Sequence, residues 1–124
     1  MTMRFMMMIK AAEGAPPSNE LYAAVGQLAQ EMAASGVLLE TGGLAPSVKG
    51  ARVRLSGAKL TVIDGPFAES KELIGGYAIV KAASRAEAIE LGKRFMQLHA
   101  DVLGPAYEAE CEIREMDDPP AGTP

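Results

Sequence analysis

The chain has 124 residues, which is room for one domain, and its 48% apolar content is enough to fill one compact core. A formal net charge of -4 and an isoelectric point near 5.0 argue against a surface built to neutralise phosphates, so nucleic acid is not an expected partner. A single cysteine, Cys111, excludes an internal disulfide, and no run approaches the ~20 apolar residues that cross a bilayer, so a soluble protein of the reducing cytoplasm is expected.

Residues 3–10 (MRFMMMIK) have the length of a strand, with Met3, Phe5, Met7 and Ile9 on one side and Met6 and Met8 on the other. Arg4 and Lys10 bracket the apolar run too tightly for a secretory leader, and no A-x-A-like site follows. After the link EGAPPS, Leu21, Val25, Leu28 and Met32 recur at helical spacing, with Ser18 or Asn19 as N-cap and Gly36 suited to the left-handed position past the end. Val37 to Glu40 is a short strand, and TGGLAPS reads as a loop.

The stretch ARVRLSGAKLTV predicts a hairpin turning at Ser56-Gly57 and running directly into DGPF. GGYAIVKAA reads as a central strand, apolar on both faces: Tyr77 and Ile79 on one, Ala78, Val80 and Ala82 on the other. Ser84 and Glu87 form a capping box for a second helix, whose inner face uses Ile89, Gly92, Phe95 and Met96 and whose end falls near His99. Gly92 is expected to let this helix approach the sheet closely. Residues 107–114 alternate as the last strand, Ala109, Cys111 and Ile113 opposite Glu108, Glu110, Glu112 and Arg114. Residues 1–116 thus form one domain, and 117–124 (DDPPAGTP) read as a disordered tail.

The resulting plan is α+β: a ferredoxin-like βαββαβ arrangement with an extra central hairpin. Two helices cover only one face of its sheet, yet two strands are apolar on both. A symmetric dimer packing sheet to sheet, with Met6, Met8 and either Ile79 or Tyr77 near the contact, resolves this economically, while the alternative is that the methionines fill one subunit's own core.

Residues 60–80, LTVIDGPFAESKELIGGYAIV, resemble the signature of the DGPF branch of the YCII-related family. ASGVLLETGGLAPS and the closing CEIREM are also similar to the family's pattern, so the resemblance spans Phe5 to Met116. It implies a dimeric α/β barrel-type assembly with a cleft near the dimer interface. Some YCII-related proteins pair a histidine on the first helix with an aspartate; Val25 occupies the aligned position here, so that dyad does not carry over.

Two readings stand for DGPF. One is a rigid structural corner in which Asp64 ends a strand and caps backbone N–H groups, Gly65 permits a positive φ, Pro66 fixes the turn and Phe67 anchors it. In the other, Asp64 is the polar centre of a small-molecule pocket, with Glu40, Thr41, Glu69, Lys71, Glu72 and Tyr77 as ligand-binding candidates; taken singly, Glu69, Lys71 and Glu72 read rather as solvated loop charges. Gly75-Gly76 suits a β-bulge as well as a loop. His99, with Asp101 two residues on, is a second catalytic candidate set against a simple role at a helix end.

Metal-ligand spacing, a P-loop, a dinucleotide fingerprint and a nucleophile elbow are all missing from the sequence, so no cofactor or metal is expected, and Cys111 reads as an inward structural thiol. Two functions follow: a homodimeric small-molecule-binding or acid/base enzyme domain, or a non-catalytic dimeric regulatory module of the kind that accompanies extracytoplasmic-function sigma factors in this family. A heme- and flavin-independent monooxygenase is a third, by fold analogy alone.

Overall fold

A computed structural model describes residues 2–13, 18–67, 70 and 72–117. In chain order these form β1 (Met3–Ala11), α1 (Asn19–Ala34), β2 (Leu38–Gly43), a short 3-10 turn (Ser47–Lys49), β3 (Ala51–Ser56), β4 (Lys59–Asp64), β5 (Leu73–Ala82), α2 (Arg85–Leu103) and β6 (Glu110–Glu115). β2, β5, β1 and β6 lie in that order in one antiparallel sheet, while among the described residues β3 and β4 pair only with each other. This is the ferredoxin-like α+β plan with the hairpin inserted between the second and third sheet strands. Apart from Asp117, the expected C-terminal tail lies outside the described residues.

Both helices form where their caps and apolar periods coincide. Ser18 Oγ accepts from Leu21 N at 3.1 Å to open α1, and Gly36, at φ 80°, follows its end. In α2, Ser84 Oγ accepts from Glu87 N at 3.1 Å and Glu87 reaches back to Ala83 N at 3.2 Å. Leu28 and Met32 of α1 and Ala88 and Phe95 of α2 bury against Phe5, Met7, Ala78, Val80 and Ala82, the inward positions of β1 and β5. Burial of each large apolar side chain here stabilises the fold by ~1.5–3 kcal/mol. Gly92 brings α2 close to β6: a β-carbon there would meet Ile113 Cδ1 at 2.7 Å.

Several boundaries differ from expectation. β2 extends through Gly43, because Thr41 and Gly42 continue the ladder opposite Ala78 and Tyr77, so only the later part of TGGLAPS is loop. The hairpin turns at Gly57-Ala58, with φ 56° and 62°, since Ser56 and Lys59 are a paired position. Two positive φ values in a two-residue loop give the twist that matches the flanking strands. β5 starts at Leu73, and the register shift between Ile9 and Lys10 leaves Gly75 as an extra residue, a bulge. β6 begins only at Glu110. α2 continues to Leu103, so His99 sits inside the helix rather than at its end.

Candidate functional site

The sheet face away from the helices carries the side chains that alternate with the core. On it lie Met6, Met8 and Lys10 of β1, Tyr77, Ile79 and Lys81 of β5, Glu112 and Arg114 of β6, and Glu40 of β2. Its centre is apolar and well packed within one chain: Ile79 is only 8% exposed, flanked in register by Met6 and Glu40. Its margin is charged. Lys10 Nζ donates to Glu112 Oε1 at 3.2 Å, and Arg114 stands 3.6 Å from the other carboxylate oxygen. The Glu112 hydrogen bond and charge raise the Lys10 pKa above its ordinary value, with Glu110 and Glu72 adding to the effect. Lys10, with help from Arg114, holds the Glu112 carboxyl below the ordinary range.

Of the expected ligand-binding residues, Glu40 and Tyr77 share this face, and Glu72 lies near enough to Lys10 to act on it. The Tyr77 ring lies over Gly42, where a β-carbon would stand 3.0 Å from Cε1, so the phenol leans toward β2, the strand of Glu40. Thr41 is turned aside: its hydroxyl donates to the Tyr77 carbonyl at 2.8 Å and braces β2 on β5. Glu69 and Lys71 lie outside the described residues. Lys10 and Glu112 were not among the candidates, although the alternation of β6 places Glu112 on the wet face; their pairing depends on a register that no local pattern encodes.

The DGPF corner is held by a compact hydrogen-bonded knot. Ser47, 9% exposed, donates from both N and Oγ to the Glu13 carboxylate at 2.6 and 2.7 Å, and its Oγ accepts from Phe67 N at 3.1 Å. Gly65 N donates to the Gly50 carbonyl at 2.9 Å. The Arg52 guanidinium stacks 3.8 Å over the Phe67 ring and donates to Ser70 Oγ at 2.9 Å. The Gly65-Pro66 peptide is cis. Gly65 is needed here for close approach and not for a positive φ: any β-carbon would overlap the Ser47 carbonyl.

Asp64 itself does not cap this knot. Its side chain is exposed and has no hydrogen-bond or ion-pair partner among the described residues, so the corner's rigidity comes from Ser47, Glu13 and Gly65.

His99 is buried at 7% exposure between Phe95 and Tyr107, ring centroids 5.9 and 6.0 Å away. Its Nδ1 donates to the Phe95 carbonyl at 2.8 Å. Asp101 instead accepts from Gln97 at 2.9 Å, so the envisaged His99–Asp101 pair does not form, because one residue faces the core and the other solvent. Burial also raises the Tyr107 and Cys111 pKa values, which keeps the thiol protonated at neutral pH.

A groove of about 560 Å³ runs on the helix side between α2 and β6, floored by Gly92, Met96, Cys111 and Ile113 with Arg85, Lys93 and Glu115 at its rim. It contains none of the expected site residues and is open rather than enclosed, so we assign the candidate site to the uncovered sheet face and the corner. No helix among the described residues is long and apolar enough to cross a membrane.

No curated protein matches the chain. The family model of the YCII-related domain matches residues 3–109, from the first residue of β1 past the DGPF corner and α2 to the threshold of β6, and the chain belongs to the YCII-related family.

Proposed function

We propose that this protein is a homodimer that binds a small polar molecule in a cleft floored by the uncovered sheet face and bordered by the DGPF corner. The observation that carries the reading is the arrangement of that face: Met6, Met8 and Ile79 form an apolar centre, and Lys10–Glu112, Glu72, Glu40 and Tyr77 stand around it. Apolar floors with a few oriented polar groups are the usual make-up of ligand sites. A second copy laid over the face supplies the wall that one subunit lacks. Lys10 is a fixed cation and Glu112 a fixed anion, which suits a ligand carrying both a carboxylate and a donor such as an amine or hydroxyl. The Asp64 carboxylate can accept, and the Tyr77 hydroxyl can donate or accept, a hydrogen bond with such a ligand.

A thermal-shift screen of small hydroxy acids, amino acids and related carboxylates tests the reading. A compound that raises the melting temperature of the wild-type protein, but not that of Tyr77→Phe or Asp64→Asn, is expected. The proposal fails if no member of the panel stabilises the protein, or if the shift survives both substitutions. A non-catalytic interaction module is the second reading, favoured by the apolar side chains that the β3–β4 hairpin leaves in solvent.

A further inference from the structure

β6 closes one side of the sheet, and its ladder with β1 fixes which way each of its backbone groups points. Antiparallel neighbours alternate between positions that exchange hydrogen bonds and positions that do not. Met116 N donates to the Arg4 carbonyl at 2.8 Å, one step beyond the Phe5–Glu115 position, so Glu110, Glu112 and Arg114 are the β6 residues bonded to β1. Cys111, Ile113 and Glu115 therefore turn their N–H and C=O groups outward, and no strand among the described residues pairs with them. Their side chains line the groove beside α2. Neither proline, glycine nor bulge blunts this edge, so it is a template for another strand.

We propose that β6 pairs antiparallel with β6 of a second copy about a twofold axis through Ile113, joining the two sheets edge to edge. The contact lies at a sheet edge and does not depend on the sheet-face association proposed above. Charge selects both occupant and register. Only registers that set outward residues opposite one another can bond, and they differ in what meets on the wet face. Centring on Cys111 puts Glu110 opposite Glu112 of the other copy, and centring on Glu112 or Arg114 puts that residue opposite itself. Centring on Ile113 puts each Arg114 opposite Glu112 of the other copy and sets no like charges face to face.

Glu112 is held by Lys10 at 3.2 Å, but Arg114 is 73% exposed and meets its own Glu112 only at 3.6 Å. The seam gives it a second, directly opposed carboxylate. On the helix side the same register lays Glu115 of the second copy opposite Cys111, in the groove whose rim carries Arg85 and Lys93.

Sedimentation velocity on the full chain, with folding checked by circular dichroism, tests the contact. Glu115→Pro removes an outward donor and leaves the bonds to β1 in place. Arg114→Glu sets like charges across the seam. Each is expected to raise the dissociation constant of the wild-type assembly at least tenfold, and an equimolar mixture of Arg114→Glu with Glu112→Arg to regain association that neither has alone. A monomeric wild type, or a mixture that regains nothing, overturns the proposal. If the wild type associates and neither Glu115→Pro nor Arg114→Glu weakens it, the edge contact is overturned while the sheet-face dimer stands. Cross-linking tests the register. Within one strand positions 111 and 115 are about 13 Å apart, but across the seam they face each other at about 5.5 Å, within reach of a disulfide. Diamide is expected to link Glu115→Cys into covalent dimers through Cys111 of the other copy and to leave the wild type unlinked. A Cys111–Cys111 link in the wild type, or no link in the variant, overturns the Ile113-centred pairing.

Discussion

Gly65 lies against the carbonyl of Ser47 so closely that a β-carbon at position 65 would occupy the space of that oxygen. The obstacle is backbone, which cannot rotate away. Gly65→Ala is therefore expected to destabilise the corner by about 1–3 kcal/mol, the ordinary cost of overpacking. Gly43→Ala, where no atom lies within 4 Å of the added carbon, is the control. Urea denaturation of both, with hydrogen exchange at the Gly50 and Gly65 amides, checks the contrast.

Ser47→Ala removes the hydroxyl that joins Glu13 to the Phe67 amide. Leaving a part-buried donor without a partner costs about 1–3 kcal/mol. Because Glu13 and Ser47 act as one unit, Glu13→Ala added to Ser47→Ala should cost much less than the two single losses together, which a double-mutant cycle measures.

The Lys10–Glu112 pair gives stability a defined pH range. Glu112 has a lowered pKa in the folded protein, so its contribution is present above the unfolded value of about 4.3 and fades as pH falls through the lower folded value. Lys10 has a raised pKa, so its contribution is present below about 10.4 and is lost as pH rises through the higher folded value. Melting temperatures of wild type and Glu112→Gln are expected to differ most across the neutral range and to converge at both extremes. Since the pair is solvent-accessible, salt should narrow the gap.

Ala58 holds φ 62° in the second position of the hairpin turn. A β-carbon there costs roughly 1–2 kcal/mol, partly offset on substitution by the greater unfolded-state freedom of glycine. Ala58→Gly is expected to slow hydrogen exchange of the β3–β4 amides, with a net gain of up to about 1 kcal/mol, whereas Ala58→Val should speed it.

The order of elements, both helix caps, the inward stripe of Leu28 and Met32, the opposite faces of β5 and the alternation of β6 all follow from local periods and capping chemistry, and these are properties of the sequence by itself. DGPF identified the family by the same local means. Tertiary structure decided what lies across from each residue. Lys10 meets Glu112 only because β1 and β6 pair in one register; Gly65 is obligatory only because the Ser47 turn folds over it; and His99 is a core residue because α2 runs one more turn and carries it beneath Tyr107. The hairpin's alternation was legible, but whether its apolar side finds cover within the chain was not, since a period of two tells which side chains share a face and not what that face will meet.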